Sequence, residues 1–290
     1  MVAPGMLQSP RFLKWLGGIE PAWTLLDFAS FNALRHAPSP TDGPIRVAAD
    51  LTSEEVHRSA VSINTIMLLR AAADGPGLKL TAGGNLARSV VTEMADAFEW
   101  PDFDKELYFR FHKVINEPDF LPLFFIRNMA ETGKLLRRHK GHLRATPAAR
   151  RLLEEGSLGA LQALLFHTVF WHMNLSPLGR GLHDSWPIFD AGIVLWSLSV
   201  AADQWQTREH LTRMCTVPII GVLEATWDSG SLAMEARILR PLRWFGLLEY
   251  RQAETDGKDT ESGHIYRKSA LFDRFLKFDV VLEMAGGSRH

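Results

Sequence analysis

The sequence predicts a mainly α-helical fold carrying small β-hairpins, and three observations predict it. Apolar residues recur at spacings of three and four over most of the chain, as an amphipathic helix requires. Two short β-prone runs lie either side of Lys140-Gly141, and two more either side of a polar loop at 253–263. Ser, Thr or Asn stands repeatedly where a helix would need an N-cap. The chain therefore divides into two or three helix–hairpin–helix units joined by buried helices.

Taken in order, the apolar patches Phe12–Leu16 and Trp23–Leu34 read as docking helices, split by Gly17-Gly18 and Pro21. Residues 36–44 hold three prolines and a glycine, which no helix continues through, so residues 1–44 form docking helices plus a linker. Residues 45–158 read as two tandem units. In the first, Thr52 or Ser53 caps a helix with Glu54 and Glu55 in its first turn, ending at Gly75-Pro-Gly77. A strand at Leu78–Thr81 follows, and Asn85 caps a helix through Leu86, Val90, Val91 and Met94. In the second, the helix Leu121–Thr132 leads to a hairpin, Leu135–Arg138 with Leu143–Thr146. Thr146 and Pro147 then supply the cap and first position of a helix over Ala148–Glu155.

Residues 159–206 are central buried helices. Their apolar runs, Leu161–Leu175 and Ala191–Ala202, are interrupted or too short for the ~20 residues a membrane span needs. Residues 207–290 form the last unit. Thr207 caps a helix that Thr216-Val-Pro218 breaks, and Ile219–Trp227 and Ser231–Leu239 are further helices. A hairpin of Leu247–Arg251 with Ile265–Arg267 follows, joined by the polar loop, and Ser269 caps a helix over Leu271–Phe278.

Composition excludes several functions. Lys+Arg 32 against Asp+Glu 33 leaves a net charge of -1, so the protein is not held to nucleic acid by bulk charge, and any such binding is local. The one cysteine, Cys215, excludes an internal disulfide and a multi-cysteine zinc site, and points to the cytoplasm. The first eighteen residues lack the apolar core of a signal peptide. No phosphate-binding glycine motif or nucleophile elbow is present. His167 and His172, five apart, are not expected to share a helix face, and adjacent His183-Asp184 rarely face one pocket. Glu93, Asp96, Glu99, Asp102, Asp104 and Glu106 read as a solvated acidic surface, and Glu224 with Asp228 as an exposed pair on one helix face. No enzyme, cofactor or metal site is expected. Most of the nine tryptophans read as core anchors, the alternative being a patch for a homodimer or protein partner.

The distribution of charge is more informative than its sum. Lys134, Arg137, Arg138, Lys140, Arg144, Arg150 and Arg151 occur in a stretch without an acid from Thr132 to Leu153, and His142 lies among them. These eight are candidate phosphate contacts, with the hairpin tip entering a minor groove. Arg237, Arg240 and Arg243, every third residue of a helix, form a second candidate set. For both sets the alternative is an ordinary solvated or internally paired basic face.

Gly133-Lys-Leu-Leu-Arg-Arg138 with Leu143-Arg-Ala-Thr-Pro147, and Phe245-Gly-Leu-Leu-Glu249 with Tyr266-Arg-Lys-Ser269, resemble the helix-to-wing passage of bacterial winged-helix proteins. Leu78–Val91, Asn116-Glu-Pro-Asp-Phe120 and Arg137–Arg151 together resemble a region of uncharacterised plasmid open-reading-frame-three-like proteins, covering roughly 51–179. That second resemblance carries a fold and no activity, and the β-rich part of those proteins is not found here. With the basic block, the leading expectation is a cytoplasmic protein that binds double-stranded DNA, directed by sequence or by structure, as in transcription control or plasmid and mobile-element biology. The alternative is a non-catalytic interaction scaffold with degenerate winged helices.

Overall fold

The computed structural model describes residues 9–36, 43–101, 103–111, 114–253 and 263–283. Asp102, most of the proposed linker and most of the 253–263 loop lie outside the described residues. The structure is mainly helical with three small antiparallel sheets. Among the described residues no helix is long and apolar enough to cross a membrane. Two compact units are present, one built from 1–47 with 174–290 and the other from Ala48–Met173. The chain thus divides after Val47 and Met173, where the sequence suggests 44, 158 and 206.

The discontinuous unit opens with α1 (Pro10–Leu16), capped by the Ser9 hydroxyl and ended by Gly17 at φ 57°. A 3-10 turn, Ala22–Leu25, precedes α2 (Phe28–Leu34), whose cap Asp27 accepts a 2.7 Å bond from the Ser30 N–H. That hydrogen bond holds the Asp27 carboxyl below its usual range. Strand β1 (Ile45–Val47) ends this segment.

The continuous unit begins with α3 (Ser53–Val56), where Thr52 and Glu55 form a capping box. The single helix expected from there to Ala73 is in fact two. The Ser59 side chain accepts from the Ser62 N–H and caps a fresh helix, α4 (Ala60–Ala73). Strand β2 (Leu78–Lys79) follows Gly77, whose φ is 90° and whose Cβ would lie 2.5 Å from the Leu143 carbonyl oxygen. Helix α5 (Arg88–Ala97) starts three residues beyond the expected cap Asn85. Leu86 is held outside the helix by a bridge to Leu80 and by its N–H, which donates to Glu117 Oε2 at 2.6 Å.

Next come α6 (Lys105–Phe111), α7 (Leu121–Thr132), β3 (Leu136–His139), β4 (His142–Ala145), α8 (Pro147–Leu152) and α9 (Leu158–Trp171). Strand order is β2-β4-β3, with Leu78 opposite Leu143 and Leu136 opposite Ala145. The strand at 78 therefore completes the sheet of the hairpin at 136–145, and the two tandem units read from 45–158 are one. Val61, Leu68, Leu123, Ile126, Met129, Leu143 and Phe166 are fully buried and form its core.

The rest of the first unit holds α10 (Ala191–Ala201), β5 (Gln206–Thr207), α11 (Arg208–Cys215) and α12 (Ile220–Leu223). Helix α12 stops four residues short of the expected Trp227, and Asp228 instead caps α13 (Ser229–Met234). A π-helical stretch, Glu235–Leu239, leads directly into α14 (Arg240–Trp244). Strands β6 (Leu248–Gln252) and β7 (His264–Lys268), α15 (Ala270–Phe275) and β8 (Leu276–Phe278) complete it. Sheet order is β5-β7-β6, and β8 pairs with β1. In both three-stranded sheets a short first strand is followed by several helices and then a hairpin, and the last strand in chain order is central. Both hairpins lie within one or two residues of expectation.

In α10 a side chain at position 192 has no room, since a Cβ there would lie 2.2 Å from the Leu34 carbonyl oxygen and 3.0 Å from Ile45 Cδ1. Gly192→Ala is expected to lower stability by about 3 kcal/mol, the upper end for overpacking because backbone must move. A thermal melt followed by circular dichroism checks it, and an unchanged midpoint would contradict the packing.

Candidate nucleic-acid interface

The register of the β2-β4-β3 sheet decides which basic residues meet. Arg137 faces Arg144 across the strands, His139 faces His142, and Lys79 faces His142 from the other side. Side chains alternate along a strand, so with Leu136, Leu143 and Ala145 buried against the core, these five share the outer face. The three strands contain no carboxylate. Like charges directly opposite one another, as Arg137 and Arg144 are, cost sheet stability. The Arg144 stem lies over Gly77, and its guanidinium reaches the Gly75 carbonyl at 3.5 Å. At the tip, Lys140 and Gly141 take φ of 47° and 73° in a two-residue turn, leaving Lys140 exposed.

The other members of the basic block are placed differently. Arg138 points to the opposite side of the sheet, where its Nε lies 3.4 Å from Glu131 Oε1. Arg150 donates at 2.6 Å to the Ala73 carbonyl at the end of α4. Lys134, with φ 57°, and Arg151 are exposed. One member of the outer face, Lys79, is not among the contacts expected from sequence, and His139, which flanks the hairpin turn as the sequence indicates, joins it there. Lys79 lies far upstream of the block it joins, and only the alternation Leu78-Lys79-Leu80 signals its outward position.

The second candidate set does not survive as a surface. A π-helical turn breaks the three-residue spacing that would keep Arg237, Arg240 and Arg243 on one face. Arg237 is fully buried, donating to the carbonyls of Trp186 at 2.5 Å and Ser176 at 3.3 Å. Burial pushes its pKa down, and the side chain has no path to a phosphate. Arg240 donates to the Leu178 carbonyl at 3.3 Å, and the Arg243 guanidinium lies 4.2 Å from the centre of the Tyr250 ring.

Helix α7, which leads into the first hairpin, ties up most of its polar side chains internally. Arg127 is bound to Glu117 at 2.5 Å, to Glu131 and to the Gly84 carbonyl, and Asn128 donates back to the Phe124 carbonyl. The large side chains it exposes are apolar, Leu121 and Phe124 at 43% and 42%, beside an exposed Thr132 at its end.

Other sequence candidates fall as follows. Cys215 is buried, which pushes its thiol pKa up. His183 lies 2.7 Å from the Ser229 hydroxyl, its pKa lowered by burial and then by Arg237, and both His183 and Asp184 adopt positive φ. Glu224 pairs with Arg11, and Asp228 is a cap, so the two do not form one helical face. Trp23, Trp196 and Trp244 are buried as expected, whereas Trp227 is 54% exposed. His167 and His172 do meet, 3.1 Å apart, because His172 leaves the helix as the C-cap of α9.

Residues 57–157 match the family described as the Y4jL N-terminal domain, a stretch that falls within the continuous unit and includes β2, β3 and β4. The uncharacterised protein y4jL of Sinorhizobium fredii is 38% identical over 77 residues, 27% of this chain and 35% of that protein. The chain therefore spans about a third of the length of this curated relative. No solved structure matches. Across the unit that carries the basic sheet, the chain is thus similar to an uncharacterised family, the Y4jL N-terminal domain.

Proposed function

We propose that the continuous unit is a winged-helix module that binds duplex DNA through the outer face of its three-stranded sheet, gripping the backbone without reading bases. The observation that carries this is the grouping of Lys79, Arg137, His139, His142 and Arg144 on one acid-free face, with Lys140 at the tip. Cations on a rigid sheet release counterions from phosphates, and side chains that touch only phosphates carry no sequence information. The large side chains that α7 exposes, Leu121 and Phe124, make no base-edge hydrogen bonds, which favours backbone contact over readout. No catalytic step belongs to this reading.

Arg137→Glu provides a test in which binding and folding separate. The new carboxylate stands opposite Arg144 and replaces a repulsive pair with an attractive one, so stability is expected to hold or to rise by about 0.2–1 kcal/mol. Affinity for a labelled duplex should fall, and the salt dependence should lose a slope of about 1. Wild-type protein that fails to bind at low salt, or a variant that binds equally well with the same slope, would overturn the proposal. A second reading, an interaction scaffold, draws on the exposed Leu121 and Phe124, and it is favoured by that negative outcome.

A further inference from the structure

The sequence spacing of His167 and His172 argues against a shared site, and the fold brings them together. His167 lies in the last turns of α9, and His172 follows that helix at φ -125° and ψ -20°, with its N–H still bonded to the Thr168 carbonyl. That departure from helical geometry swings the second ring back, so that His172 Nε2 lies 3.1 Å from His167 Nδ1, with ring centres 4.8 Å apart. His172 is exposed and His167 half-buried, so solvent reaches the His172 ring.

We propose that this imidazole pair is a binding site for a first-row divalent transition-metal ion of the copper, nickel or zinc class. Two imidazole nitrogens bound to one ion at about 2.05 Å are about 2.9 Å apart at a right angle and about 3.4 Å apart at the tetrahedral angle. The observed 3.1 Å lies between them. Imidazole is a good ligand for these ions, and Cu2+ binds most tightly in the series. Without metal, one ring donates its N–H to the other. When the ion binds, that ring carries its proton on its other nitrogen, so both facing nitrogens present lone pairs and no proton is released. Among the described residues no group of three or more His, Cys, Asp or Glu surrounds a metal position, and the two imidazoles are the ligands assigned here.

The probe is Cu2+ alone, titrated into the full chain and followed by calorimetry and by the nitrogen couplings of its electron paramagnetic resonance spectrum. The other histidines of the eleven contribute a background, so the comparison is with His172→Ala, His167→Ala and a control, His57→Ala. The wild type and the control are expected to show a leading equivalent with two nitrogen ligands. Each of the first two variants should lose it while keeping the wild-type circular dichroism spectrum. Acidification should weaken binding, because both rings must be neutral to coordinate. Equal stoichiometry and affinity in wild type and His172→Ala would overturn the proposal. If His172→Ala misfolds, His172→Gln substitutes for it, and retention of the leading equivalent there overturns the proposal equally.

Discussion

Glu117→Ala is expected to destabilise the continuous unit by about 3 kcal/mol. Glu117 Oε2 accepts from Arg127 at 2.5 Å and from the Leu86 N–H at 2.6 Å, and both side chains of the ion pair are at most 5% exposed. Removing the carboxylate strands a buried guanidinium and a buried amide together. The figure stays at the lower end of what breaking a buried pair costs because Glu131, 3.2 Å from Arg127 Nε, remains. Urea denaturation of the full chain gives the measurement. The double variant Glu117→Leu with Arg127→Met should recover much of the loss, since two apolar side chains leave no charge unpaired. A single variant as stable as wild type would show that Arg127 is satisfied without Glu117.

Glu235→Ala is expected to cost about 2–3 kcal/mol in the discontinuous unit. The Glu235 carboxylate sits in the π-helical stretch and accepts from Arg208 at 2.7 Å, His264 at 2.6 Å and the Tyr266 hydroxyl at 2.6 Å. Burial raises its pKa, but the hydrogen bonds from Tyr266, Arg208 and His264 outweigh burial and hold it below the ordinary range. A depressed folded pKa means that this stabilisation is complete above the unfolded value of about 4.3 and is lost as pH falls through the folded one. The stability gap between wild type and Glu235→Ala should therefore be constant at neutral pH and close in acid below about pH 4. A gap that widens on acidification would reverse the sign and refute the assignment. Glu209, which also pairs with Arg208, limits the loss.

Local signals in the sequence carry much of the fold. Thr52, Thr146, Thr207 and Ser269 each cap the helix that their position predicts, because a cap depends on a hydroxyl and an N–H two or three residues away. Both hairpins are legible for the same reason. What escapes depends on distant partners. Pairing of Leu78 with Leu143 merges two apparent units into one, and no periodicity near either residue announces it. The basic block is legible as charge, but its division between outer and inner faces follows from register. Arg237 reads as a surface cation only where helical spacing runs unbroken, and a π-helical turn breaks it. The His167–His172 contact is hidden in the same way, by a departure from helical geometry at a helix end.

The pairing of β1 with β8 fixes a timetable for synthesis. Ile45 meets Phe278 and Val47 meets Leu276, so the first strand to leave the ribosome waits for one made some 230 residues later. At about 5–20 residues per second that is roughly 12–46 s. The continuous unit, Ala48–Met173, is synthesised whole within this interval and has all its own strands in hand. During that time the segment before Val47 has only its own short helices, and the exposed strand edge of β1 is held by nothing from its sheet. Nascent chains from which residues 48–173 have emerged but 276–278 have not should thus carry a complete continuous unit while β1 is unpaired, a state that a chaperone would meet.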